Sequence, residues 1–279
     1  RMKTQRNFIM ATAKQTLQAK NIFKIKDIID IIYEYVETNM NKEKLLDENS
    51  KHALQSDNII AITNRHLCSR PFMEQLERVC KLHPHAIVLR EKDMPEAEYL
   101  SLARDVIALC KKYDVQCMLH SFINVAIELE HPYIHLPLPI LEAYVKKDLS
   151  DNISTDMSKS TDNYQQFFKV IGTSVHSVED AIKAEQLGAT YMTAGHIFAT
   201  DCKKGLPPRG LDFLENVCDA VEIPVYAIGG INIASSDDST ASDAPPAYDA
   251  MPDISVPRLA DVMECGAAGG CIMSGMMRV

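Results

Sequence analysis

Residues 195–205, Gly-His-Ile-Phe-Ala-Thr-Asp-Cys-Lys-Lys-Gly, place the side chains needed for chemistry on a small anion within one short stretch. His196 carries an imidazole that takes and returns protons near neutral pH. Thr200 adds a hydroxyl, and Lys203 and Lys204 add positive charge. The run before them, Ala189–Ala194, is mostly apolar and stops at a glycine, the pattern of a buried strand opening into a polar loop. A lone histidine is ordinarily structural. This one follows a strand end and is followed by basic residues and a second glycine, which favours a site.

The elements that must position this loop form a repeating alternation that begins at residue 58. β-like runs are expected at 58–63, 85–90, 115–119, 133–136, 167–172, 189–194, 224–228 and 270–273. Helical patterns fall between them at 72–82, 96–112, 121–129, 140–147, 178–187, 211–220 and 258–265. Gly188 stands where a helix C-terminus needs a residue free to turn. Two stretches, 148–163 and 234–256, are dense in Ser and Asp and are expected to be loops. Eight strands with intervening helices predict an α/β protein with a (β/α)8 TIM barrel over residues 57–279, near the usual ~250 residues. A doubly wound open sheet is the runner-up, and the count of eight decides against it.

Residues 1–56 contain no Pro or Gly, and Ile22, Ile25, Ile28, Ile29, Ile32 and Tyr33 recur at helical spacing, so a helical extension is expected there. The last β-like run ends six residues before Val279, which leaves no self-supplied eighth helix. The N-terminal segment is expected to pack near that gap.

Barrel active sites lie at the C-terminal ends of the strands. Those ends gather Arg90 and Lys92, His120, Ser174 and His176, then His196, Thr200 and Lys203, then Gly229 and Gly230, then Ser274 and Gly275. The last two pairs follow strands 7 and 8, where barrels bind phosphate through backbone N–H groups. Arg90, Lys92 and Lys203 would be cationic partners to an anion. No metal cluster has suitable spacing, because His131 and His135 flank Pro132 in a strand-like segment, and no Gly-x-Ser-x-Gly elbow occurs. Neither a metal nor a cofactor is expected.

A net charge of −9 excludes a general nucleic-acid binder. No apolar run is long enough to span a bilayer and no signal-peptide pattern is present, so a cytoplasmic protein without membrane contact is expected. The eight cysteines contain no CxxC pair and mostly sit in apolar patterns, as reduced core thiols would. A homo-oligomer is compatible with all of this.

From about residue 58 to 277 the chain resembles the thiamine phosphate synthase/TenI family. The resemblance rests on Leu89-Arg90-Glu91-Lys92-Asp93, His135-Leu136, Ile171 to His176, Gly195 to Gly205 and Ala227 to Ile231. The synthase branch joins a thiazole phosphate to a hydroxymethylpyrimidine pyrophosphate with magnesium. It usually carries Asn-Asp after strand 3 and Gly-Gln-x-Asp after strand 4. Here those positions read His120-Ser121 and Pro137-Leu138-Pro139-Ile140. The tautomerase branch matches the 195–205 loop more closely. The resemblance therefore implies a thiazole tautomerase, an isomerase aromatising a carboxythiazole phosphate with His196 as the acid–base group. Gly229, Gly230 and the Ser274-Gly275 turn would hold the phosphate. The alternatives are the synthase reaction itself and a non-catalytic relative that binds a thiamine-pathway ligand.

Overall fold

The computed structural model describes residues 58–153, 167–200, 203–233, 256 and 258–278, with side chains omitted over 147–153. The barrel unit spans Ser56–Val279. The helix expected in residues 1–56, the contact expected for it and nearly all of the 234–256 loop lie outside the described residues.

Eight parallel strands close on themselves in chain order. They are β1 (Ile59–Ile62), β2 (Ala86–Leu89), β3 (Gln116–His120), β4 (Tyr133–Pro137), β5 (Val170–Val175), β6 (Tyr191–Gly195), β7 (Val225–Ile228) and β8 (Gly269–Ile272). Closure is made by β1 pairing with β8, Ile60 opposite Cys271. The crossovers carry α1 (Phe72–Lys81), α2 (Glu96–Lys112), α3 (Ile123–Glu128), α4 (Leu138–Ile153), α5 (Val178–Gln186), α6 (Gly210–Ala220) and α7 (Leu259–Glu264). The (β/α)8 expectation therefore holds. Two boundaries are corrected: β5 runs over Val170–Val175, three residues later than the expected 167–172, and α4 continues to residue 153, through the first third of the expected 148–163 loop. That stretch has no Pro or Gly, so nothing in it breaks the helix.

The alternation of a strand sorts side chains to two faces. Outward residues such as Ile87, Leu89, Leu119, Ile134, Leu136, Met192 and Ala227 join the helices in one large core. Inward residues Ile60, Ile62, Val88, Met118, Tyr191, Tyr226 and Cys271 fill the barrel. Tyr99 of α2 ties β2 to β3, its hydroxyl donating to Leu89 O at 2.7 Å and accepting from His120 N at 3.0 Å.

After β8 no eighth helix occurs among the described residues. The chain turns back over 274–278, and Met276 and Met277 are buried. Gln75 Nε2 of α1 donates to Met276 O at 2.7 Å, and Cys68 Sγ lies 3.9 Å from Met277 Sδ. Two methionines thus cover part of the wall that a helix would cover.

Inside the barrel one glycine sets the packing. A Cβ at Gly172 would overlap the Tyr191 ring, which lies across β5 to reach His135. Gly172→Val is expected to cost ~2 kcal/mol or more by overpacking, read as a lower urea midpoint. An unchanged midpoint would mean that the ring does not need that space.

Candidate active site

The alternation that builds β2 continues past its end and sorts the residues at the mouth. Arg90 and Lys92 share one parity, and Glu91 between them has the other. Glu91 is 2% exposed. Its carboxylate accepts from Thr63 Oγ1 at 2.7 Å, from Arg65 N at 3.1 and 3.2 Å, and from Arg65 Nη1 at 3.0 Å. Arg65 also grips Asp93 through both guanidinium nitrogens, at 2.8 and 2.7 Å, and His66 Nε2 reaches Asp93 at 2.9 Å. The Arg65 and His66 side chains hold the Asp93 carboxyl well below its ordinary range. Both acids of the Arg-Glu-Lys-Asp run are thus committed to the β1 loop.

The cations are not. Among the described residues, Arg90, Lys92 and Lys203 have no carboxylate partner. They are close enough that Lys92 feels the others: its amine is held below the ordinary lysine range by partial desolvation, then by the charges of Arg90 and Lys203. The β2 and β6 loops therefore face one another with like charge. Such an arrangement favours an anion between them.

Below the cations lies a column of neutral polar groups. His120 and His135 are opposite each other in the β3–β4 register, with rings stacked at 5.6 Å and 16°. His135 Nδ1 meets Tyr191 Oη at 2.9 Å and its Nε2 meets Ser174 Oγ at 2.9 Å, one nitrogen donating and the other accepting. Thr193 Oγ1 donates to Ser174 Oγ at 3.0 Å. His120 Nδ1 meets Ser121 Oγ at 2.8 Å. Ser121 adopts φ +68°, in the left-handed region, in the tight turn that ends β3. Burial first, then His135, Arg90 and Lys92, pushes His120 down to about 2. Burial, then Arg90 and Lys92, pushes His135 down to about 3.

The loop after β6 is pinned to β7. Ile197 N donates to Ile228 O at 2.9 Å and Phe198 N to Gly229 O at 3.0 Å. Its two ends close on each other, Arg209 N donating to His196 O at 2.9 Å and Gly210 N to Ile197 O at 3.1 Å. Gly229 and Gly230 have φ of +99° and +72°, and a Cβ at Gly230 would lie 2.6 Å from Ala199 O and from Phe198 Cβ. Close approach of the two loops accounts for both glycines whether or not a phosphate binds there. Arg258 completes this side: its Nη1 donates to Gly230 O at 2.8 Å, and its guanidinium stacks on Phe198 at 4.5 Å.

The residues singled out from sequence separate into three groups. Arg90, Lys92 and Lys203 come together at the mouth, with His120 and Ser174 in the wall beneath them. His196 is half-buried on the β6 loop, its Nε2 3.4 Å from Leu206 O. His176 is exposed, with Nδ1 2.9 Å from Gly195 O. Thr200 supports a turn, its carbonyl accepting from Lys203 N at 3.0 Å. Ser274 Oγ donates to Asn232 Oδ1 at 3.3 Å, and a Cβ at Gly275 would lie 3.2 Å from Ile233 N, so this pair rests on the β7 loop. Sequence reading missed Tyr191, Thr193 and Arg258. The first two sit inside a strand, where inward parity was the available signal, and Arg258 follows a long polar stretch that hides its proximity to Gly230.

The family resemblance implies magnesium, and the donor set does not fit it. A hard cation needs oxygen ligands, mainly carboxylates. His120, Ser121 and residues 137–140 offer no carboxylate, Glu91 and Asp93 are bound to Arg65, and no metal-ligating group of three occurs among the described residues.

The sequence profile described as thiamine monophosphate synthase (TMP-TENI) matches residues 59–276. The chain belongs to this family. A second profile, of the LytR_cpsA_psr family, matches residues 1–67, most of which lie outside the described residues. A putative thiamine-phosphate synthase 2 of Aquifex aeolicus is 34% identical over 173 residues, 62% of this chain and 84% of that protein. The thiamine-phosphate synthase of Clostridium tetani is 31% identical over 52% of this chain and 63% of its own. A solved thiamine phosphate pyrophosphorylase from Pyrococcus furiosus superposes with a TM-score of 0.55 at 24% identity, covering 80% of this chain and 89% of that one.

These names correct the tautomerase expectation. The relatives are thiamine-phosphate synthases, which are transferases, at 29–34% identity, so neither the isomerase class nor the proton shuttle at His196 is retained. That expectation rested on the missing carboxylates after strands 3 and 4 and on the close match of the 195–205 loop. No helix among the described residues is long and apolar enough to cross a membrane.

The histidine column makes stability depend on pH. Both folded-state pKa values lie below the ordinary 6.5, so the unfolded chain binds more protons and stability falls as pH drops below about 6.5. Between pH 7 and 5.5 each histidine should account for ~1 kcal/mol of loss. Urea titrations of the wild type and His135→Asn at both pH values check this, and equal losses in the two would remove His135 as a source.

Proposed function

We propose that this chain carries out the thiamine-phosphate synthase reaction, joining a thiazole phosphate to a hydroxymethylpyrimidine pyrophosphate with release of pyrophosphate. The reading is supported by family membership and the relatives' names. The observation that carries it is the meeting of Arg90, Lys92 and Lys203 at the mouth with no carboxylate partner among the described residues. A leaving pyrophosphate gains negative charge as its bond to the pyrimidine methylene breaks, and preplaced cations stabilise that charge where it develops. The two ring systems, held side by side at the mouth, react without the entropy cost of meeting in solution.

In this assignment Arg90, Lys92 and Lys203 take the pyrophosphate. Thr200, Gly229, Gly230, Ser274 and Gly275, on the β6 to β8 side, take the thiazole phosphate. His120 and Ser174 form the wall, and His176 and His196 border the mouth. The bond forms at an unprotonated ring nitrogen of the thiazole, so no proton has to leave and no general base is required. His196 then acts in binding.

Thiamine phosphate formation from the two substrates tests this. Lys92→Gln or Arg90→Gln should lower kcat/KM by about 100-fold or more, and His196→Ala by less than about tenfold. Substrate binding without product would support the non-catalytic relative, a reading favoured by the missing magnesium carboxylates. The reverse order of the variants would return His196 to the chemistry.

A further inference from the structure

The poor fit to magnesium has a constructive side. We infer that the pyrophosphate group is held and neutralised by the chain's own cations in place of a divalent metal, with the His120-Ser121 turn occupying the ground where metal-holding carboxylates would stand. The inference rests on the pyrophosphate reading above and adds how its charge is balanced.

Three observations carry it. First, among the described residues the two carboxylates of the β2 loop are turned away from the mouth, Glu91 into a buried set of four hydrogen bonds and Asp93 into a two-pronged contact with Arg65. Second, three cations remain, from two facing loops, and Arg258 adds a fourth beside Gly230 on the β7 side. Pyrophosphate carries roughly three negative charges near neutral pH, which three side-chain cations balance. A divalent cation entering the same space would meet uncompensated positive charge.

Third, the β3 end is built to stay neutral. His120 Nδ1 is bound to Ser121 Oγ, and the ring stacks on His135. His120 is 5% exposed, its Nδ1 is taken by Ser121 Oγ, and its Nε2 has no partner among the described residues. Nε2 is therefore the ring atom left to meet a ligand. A neutral imidazole edge exchanges one hydrogen bond with a phosphoryl oxygen or a bridging water, and it is a poor ligand for a hard cation.

The test uses the full chain and inorganic pyrophosphate, titrated calorimetrically in EDTA and again with millimolar magnesium. Affinity in EDTA should equal or exceed that with magnesium, and Lys92→Gln should weaken it about tenfold or more while leaving the melting temperature in place. Ser121→Asp, which returns a carboxylate to the turn, should weaken metal-free binding and make added magnesium strengthen it. Binding that appears only with magnesium would overturn the inference, as would a Lys92→Gln protein that binds within about twofold of wild type. Metal-free binding by a chain that makes no thiamine phosphate would sink the proposed reaction and support this inference. Turnover that requires magnesium would do the opposite.

Discussion

The Glu91 carboxylate, buried between the Thr63 hydroxyl, the Arg65 backbone N–H and the Arg65 guanidinium, sets the sign of the potential at the barrel mouth. Its neighbours in sequence are both cations, and one step of strand parity separates it from them. Had the carboxylate turned inward it would have paired with Arg90 or Lys92 and cancelled the charge an anion needs. The four hydrogen bonds it accepts from Thr63 and Arg65 keep the acid on the β1 side. Thr63 couples the arrangement to the sheet, since its Oγ1 also accepts from Arg90 N at 2.9 Å and its N–H donates to Val88 O at 3.0 Å. The chain as a whole is acidic, so the basic mouth is a local product of this arrangement.

The histidine column is the complement of that charge. Desolvation and the cations overhead act in the same direction, so His120 and His135 remain neutral and do not add to the repulsion between Arg90, Lys92 and Lys203. The column holds because each polar atom deep in it is matched: Tyr191 and Ser174 take the two nitrogens of His135, and Thr193 takes Ser174. Gly172 makes room for the Tyr191 ring, so a strand residue with no side chain is what allows a polar chain to cross the barrel interior.

Much of the barrel was legible in the sequence because its strands are short apolar runs and its helices carry a clear period. α2 falls where the pattern places it, Glu96–Lys112. The end of α4 was not legible, because Ser, Asp and Asn are as common in loops as on solvated helix turns. At the site, parity along Arg90-Glu91-Lys92 was readable, but Arg65 as partner of both Glu91 and Asp93 was not, since they lie 26 and 28 positions apart. The Gly-Gly pair was read for phosphate, and packing against Phe198 and Ala199 supplies a second cause that spacing does not reveal. The tautomerase expectation came from the missing carboxylates after β3 and β4 together with the matched loop around His196, and the relatives' names overturn it.

The most direct test of a cationic mouth is the titration of the Lys92 amine, followed by NMR of a protein labelled at lysine side chains and assigned with Lys92→Gln. The amine should titrate below its ordinary 10.5 in the free protein, held down by desolvation, Arg90 and Lys203, and should move upward when pyrophosphate is added in EDTA. An amine that titrates at its ordinary value and does not respond to pyrophosphate would contradict the account.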